Sequence, residues 1–259
     1  MLKIDLQTQY GVASESPDHK MPWGTRHDSS RNWRFNWKLF ELFKAVPLLK
    51  VLDLGCSGGG FVRSCIDDGC LAVGLEGSDY SKLMRRSEWA VIPECLFTCD
   101  IAHPFQLVAH GATGVEPLKF HVVTTWEVIE HLREEELPCL AENVAKHLTA
   151  GGVWILSVSE NEEVIGGVVL HQTVRPKRWW VDKLQSLGFV HCPEHEKYFN
   201  GQYVRGPKQG DRGSFPLILA KSKEGLPVPP QEPLRQRMYD LWYGSPLQRF
   251  IKLMIVGLR

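Results

Sequence analysis

Glu127, Glu130 and His131 place two carboxylates and an imidazole at i, i+3 and i+4, one side of a helical turn. Such a trio can take, hold or deliver a proton. A second group lies upstream in Val51-Leu52-Asp53-Leu54-Gly55-Cys56-Ser57-Gly58-Gly59-Gly60-Phe61. An apolar run carrying one carboxylate runs into a glycine turn, and a helix follows from Phe61 to Ile66. Without Cβ atoms the turn lets backbone come close to a ligand, and the helix N-terminus faces it. The order is Asp-x-Gly-x-x-Gly-Gly, not the Gly-x-Gly-x-x-Gly of dinucleotide sites. A carboxylate ahead of the first glycine suits an ammonium better than a pyrophosphate.

The elements that must position these groups can be read along the chain. Leu71 to Glu76 predicts a second strand that ends in an acid about twenty residues after the turn, and Gly77, Ser78 and Asp79 follow. Leu96 to Ile101 predicts a third strand and Phe120 to Glu127 a fourth. A fifth, Val153 to Ser157, follows a helix over Glu134–His147 and the Gly151-Gly152 turn. Strands alternating with helices predict a parallel sheet with right-handed crossovers.

These five motifs, in this order over residues 48–158, resemble the class I S-adenosylmethionine-dependent methyltransferases. The resemblance implies an α/β, Rossmann-like sheet, mostly parallel and seven-stranded with an antiparallel last strand, and helices on both faces. It implies S-adenosylmethionine as cofactor. Asp53, Gly55, Cys56, Ser57, Gly58, Gly59 and Phe61 would meet its amino-acid portion, and Glu76, Gly77 and Ser78 its ribose. Asp100 and Ile101 would meet the adenine, and Trp126 and Glu127 would also contact the cofactor.

The Glu127-x-x-Glu130-His131 element is similar to one found in ubiquinone-pathway O-methyltransferases and in enzymes that 2′-O-methylate small-RNA ends. The latter likeness implies a divalent ion (magnesium, manganese or zinc) on Glu127, Glu130, His131 and a later histidine, for which His171 is the candidate. His131, with Glu130 and Glu127, is the candidate catalytic group, with His131 as base for an acceptor hydroxyl. The leading expectation is an enzyme O-methylating a small-molecule or glycan hydroxyl. The alternatives are a metal-dependent 2′-O-methyltransferase on an RNA end and a non-catalytic cofactor-binding module.

With 259 residues, 43% of them hydrophobic, the chain can bury a full core. Thirty basic and thirty acidic residues leave no cationic excess for nucleic acid. Seven scattered cysteines without a Cys-x-x-Cys pair suit a reducing compartment, and no signal segment is visible, so a cytoplasmic protein is expected. No apolar run nears the roughly 20 residues that span a bilayer.

Three regions are expected: a lid or substrate wall over residues 1–47, the cofactor-binding domain over 48–225, and a Pro-rich linker with a C-terminal helix over 226–259. In the first, Ser29 or Ser30 would cap a helix from Asn32 to Lys44 with Trp33, Trp37, Phe40 and Lys44 on one face. Pro176 begins a helix through Trp179, Trp180, Leu184 and Leu187, and Phe189 to Phe199 and Phe215 to Lys221 read as the last strands. The basic, apolar stretch Leu247–Arg259 suits a peripheral membrane contact, its own domain or a partner subunit. Oligomeric state is not encoded in any pattern seen here.

Overall fold

The computed structural model describes residues 2–21, 30–111 and 114–257. The chain starts with strand β1 (Lys3–Thr8), the short helix α1 (Pro17–Lys20) and helix α2 (Trp33–Leu42). Next come β2 (Lys50–Leu54), α3 (Gly60–Asp67), β3 (Leu71–Glu76), α4 (Tyr80–Leu83) and β4 (Leu96–Thr98). β5 (Phe105–Gly111) and β6 (Gly114–Pro117) precede β7 (Phe120–Trp126), α5 (Leu137–His147) and β8 (Leu148–Ser159). A hairpin of β9 (Val164–Ile165) and β10 (Val168–Val169) leads to α6 (Lys177–Ser186), β11 (Val190–His191) and α7 (Pro193–Phe199). β12 (Ser214–Ala220) is followed by α8 (Leu234–Trp242) and α9 (Pro246–Gly257).

The main sheet has seven strands in the order β11-β12-β8-β7-β2-β3-β4. β2 pairs in parallel with β3 and β7, and β7 with β8, while β12 runs antiparallel to β8. This is the expected Rossmann-like architecture. β2 shows why the inner strands form: Val51 and Leu52 are buried on opposite faces, so neither side of the sheet meets water. One apolar cluster joins Leu52, Leu54, Val73 and Leu75 to Leu140, Val144, Trp180 and Leu184. The other joins Val51, Val122, Val153 and Ile155 to Phe35, Leu39, Phe61 and Phe199. α5 and α6 cover one face, and α2, α3 and α7 the other.

Several local expectations change. The cap of α2 is Asn32, whose Oδ1 accepts from Arg34 N and Phe35 N. Ser29 and Trp23 lie outside the described residues. α2 buries Phe35, Leu39 and Leu42, whereas Trp33 and Lys44 are exposed and Trp37 and Phe40 only half-buried. Periodicity selected the wrong face because Arg34 and Lys38, off the apolar stripe, are buried on ion pairs with Glu232 and Asp240.

Only Val190 and His191 of the expected Phe189–Phe199 strand are extended, since Pro193 starts α7. The C-terminal helix is two, separated at Gly244, where φ is +75°. A second sheet of order β1-β5-β6 was not anticipated; β1 pairs antiparallel with β5 from Lys3↔His110 to Thr8↔Phe105.

Candidate active site

A cavity of about 890 Å³ opens at the carboxyl ends of β2, β3 and β7, where ligands of open α/β sheets bind. Its wall includes Asp53, Gly55, Cys56, Ser57, Phe61, Glu76, Gly77, Ser78, Asp100, Ile101, Trp126 and Glu127, together with His131 and His171. Gly58, Gly59 and Glu130 stand behind the wall: the expected residues converge, but these three act from beneath.

The glycine turn is held tightly. Gly55 N and Cys56 N both donate to Leu75 O, at 2.8 and 3.0 Å. Gly55 has φ of +75°, and a Cβ there would lie 2.4 Å from Val128 Cγ2. Ser57 takes φ of +49°, a conformation that non-glycine residues keep only when their surroundings enforce it. What enforces it is Glu76, whose Oε2 accepts from Ser57 N at 2.7 Å while Oε1 accepts from Ser78 N at 3.2 Å. Each oxygen retains a lone pair, so the carboxylate can brace the turn and still accept from a diol. Burial raises its pKa against the pull of these backbone bonds.

Asp53 is buried beside it. Thr124, its register partner on β7, donates from Oγ1 to Asp53 Oδ1 at 2.6 Å. Burial still pushes this carboxyl up to about 7, and Glu76 adds to the rise. A cation placed here would be favoured by both acids. At the far side, Asp100 is already engaged: Oδ1 accepts from Ala102 N, and Oδ2 lies 2.9 Å from His103 Nδ1. His103 in turn stacks on Tyr10 at 4.0 Å. Tyr10 is a wall residue that sequence reading missed, because β1 brings it in from the far end of the chain.

Glu127, Glu130 and His131 do not share one helical turn. β7 ends at Trp126, Glu127 adopts φ of +56°, and the single 3₁₀ turn covers only Ile129–His131. Glu127 therefore aims elsewhere, and its Oε2 accepts from Ser214 Oγ at 2.7 Å. Glu130 is fully buried. Its Oε1 accepts from Ser159 N at 2.8 Å, and its Oε2 has no hydrogen-bond partner among the described residues. Its main-chain oxygen accepts from Gln172 N and Thr173 N, which draws the segment after β10 against it and brings His171 in.

His131 and His171 meet edge to face at 4.6 Å. Ligating atoms of Glu130, His131 and His171 lie within 4.8 Å of one another, a spacing that one divalent ion can bridge after small side-chain adjustments. Glu127, expected as a fourth ligand, falls outside this group. Burial and Glu127 push Glu130 up to about 8. Burial pulls His131 down, but Asp18, 2.8 Å away on α1, and Glu130 and Glu163 hold it up at about 9. His171 is pulled down by burial and by His131.

Asp18 belongs to a segment that runs across the cavity mouth. Ala13 N donates to Gly77 O at 2.8 Å, and residues from Tyr10 to His19 form part of the wall. Arg31 and Arg34 are spent on Glu88 and on Asp240 with Glu232.

The family described as "Methyltransferase domain" matches residues 26–205. The chain belongs to this family. It is an S-adenosylmethionine-dependent methyltransferase, and the cavity fits that cofactor: a glycine turn fixed on Leu75 O, a braced acid at the end of β3, and buried Asp53 beside it for a cation. No curated protein sequence matches this methyltransferase. Solved structures similar to it include magnesium protoporphyrin IX methyltransferase from Synechocystis with bound SAH (17% identity, TM-score 0.48, covering 73% of this chain and 82% of that one). Another is the S-adenosylmethionine-dependent methyltransferase from Clostridium acetobutylicum (10% identity, TM-score 0.49, 78% and 95%). A third is the glycopeptide N-methyltransferase MtfA complexed with S-adenosylmethionine (16% identity, TM-score 0.45, 72% and 87%). Among the described residues, no helix of the methyltransferase is long and apolar enough to cross a membrane.

Proposed function

We propose that this methyltransferase O-methylates a hydroxyl of a small molecule or sugar that carries no phosphate, with His131 handling the acceptor's proton. The juxtaposition of Glu130, His131 and His171 beside the cofactor cradle, within one cavity, carries this reading. A volume of about 890 Å³ suits a drug-sized cofactor and a modest acceptor together. The wall also presents Glu15, Asp18, Glu162 and Glu163. These acids repel a polyanion, which favours a small acceptor over an RNA end.

When bound, S-adenosylmethionine supplies a methyl carbon already activated by its sulfonium. Asp53, Gly55, Ser57 and Glu76 hold it, and Trp126, packed edge to face on Phe35 and Phe61 at 5.1 and 5.8 Å, excludes water. The chain's remaining work is alignment and proton removal. His131 carries its proton while Asp18 accompanies it. An acceptor hydroxyl that displaces Asp18 removes the main support for the charged form, leaving burial to return the imidazole to the neutral base. Glu130, fixed by Ser159, adds a favourable charge beside the ring.

SAH release with a panel of polyols and sugars tests this. His131→Ala should lower kcat by roughly a hundredfold with cofactor affinity unchanged; full turnover by the variant, or products methylated only on nitrogen, would refute the assignment. A second reading rests on the partnerless Glu130 Oε2: the same three groups hold a divalent ion that binds the acceptor oxygen. Activity lost to a chelator and restored by magnesium, manganese or zinc would favour it. Tight SAH binding with no turnover on any acceptor would instead mark a non-catalytic module.

A further inference from the structure

α8 is docked with its polarity reversed. Its inward side chain is Asp240, fully buried between Arg34 Nε at 2.5 Å and Lys38 Nζ at 2.7 Å. The main chain is fixed as well: Asp240 O accepts from Lys208 Nζ at 2.6 Å and from Gln202 Nε2 at 2.8 Å. Leu234, Met238 and Leu241, spaced i, i+4 and i+7, face outward with 72%, 61% and 59% of their surface exposed. In α9, Leu247, Phe250, Ile251 and Met254 repeat an i, i+3, i+4, i+7 stripe and are likewise exposed.

A helix free to rotate would bury such a stripe. α8 cannot, because turning over would take Asp240 from the buried cations Arg34 and Lys38 and leave both on Glu232 alone, a heavier loss than the apolar gain. The fold therefore obliges the apolar side outward.

Charge says what covers it. Asp240 is the only acid between Leu234 and Gly257, and it is inside; the exposed charges on the described side chains are Arg235, Arg237 and Lys252. Trp242 and Tyr239, 40% and 41% exposed, add rings of the kind that settle at a lipid headgroup boundary. An apolar stripe with a cationic fringe and no exposed acid complements an anionic lipid surface. A second copy would set two cationic fringes against each other. We propose that α8 and α9 form a peripheral docking face for anionic membranes, lying in the interface plane.

Flotation of the full-length chain with phosphatidylcholine vesicles, with and without phosphatidylserine, tests this. The protein should float only with phosphatidylserine present and be released by salt. Each lost charge should weaken binding about fivefold, so Arg235→Gln, Arg237→Gln and Lys252→Gln together should cost roughly a hundredfold. Leu241→Gln with Phe250→Gln should abolish flotation. SAH affinity and melting temperature should stay at wild-type values in both variants, which shows they are folded. The proposal fails if the wild type floats with neither vesicle or equally with both, or if the variants float like it. It also fails if the apolar variant instead disrupts a dimer or a protein complex.

Discussion

Asp53→Asn isolates the tension built into the cofactor cradle. The carboxyl is buried, accepts one hydrogen bond from Thr124, and has its pKa raised from 3.8 to about 7. Between those values the folded chain keeps a proton that the unfolded chain has released. Stability contributed by the neutral form is therefore complete below 3.8, drains as pH rises, and is gone above about 7. At about 1.4 kcal/mol per unit, the ionised group burdens the fold by on the order of 2–4 kcal/mol. An asparagine never ionises, and its Oδ1 still accepts from Thr124. The variant should match the wild type near the acid end of the window and melt roughly 5–15 °C higher near pH 8. Calorimetric melting of the cofactor-free proteins across that range reads the difference. A gap that does not widen with pH, or a variant less stable at pH 8, would refute a buried carboxyl held in reserve for a cationic ligand.

Glu76→Ala removes the brace on Ser57 N and Ser78 N together with the ribose acceptor, so SAH affinity should fall at least about tenfold by titration calorimetry. Gly55→Ala combines a φ of +75° with a Cβ 2.4 Å from Val128 Cγ2; chemical denaturation should show a loss of at least about 2 kcal/mol. His147, buried and lowered to about 4, accepts from Leu107 N at 3.1 Å. Its neutral form stabilises the fold above the unfolded pKa near 6.5, and this support drains as pH falls towards 4. His147→Gln should flatten the acid limb of the melting curve.

The sequence revealed the sheet where burial on both faces wrote it plainly: Val51–Leu54, Leu71–Glu76 and Phe120–Trp126 are predominantly apolar runs, each short enough for a buried strand. The cradle was legible too, because Gly55 and Glu76 act within the span of one strand, turn and strand. Long-range pairing was hidden. Nothing in Lys3–Thr8 announces Phe105–Gly111 as its partner, so although residues 1–47 were expected to wall the site, Tyr10 and Asp18 could not be singled out. The face of α2 misled for a related reason: Lys38 is buried only because Glu232 and Asp240, some two hundred residues on, neutralise it. The Glu127–His131 element was recognised by composition but not by shape. The positive φ at Glu127 turns its carboxylate to Ser214, while Glu130 and His131 collect His171.

The proposed chemistry requires a sulfonium nucleoside in the cavity between Gly55 and Glu76. Titrating the purified chain with S-adenosylhomocysteine in a calorimeter tests this directly. One equivalent should bind with measurable heat, and nicotinamide dinucleotides should give none. Silence with S-adenosylhomocysteine and heat with a dinucleotide would contradict it.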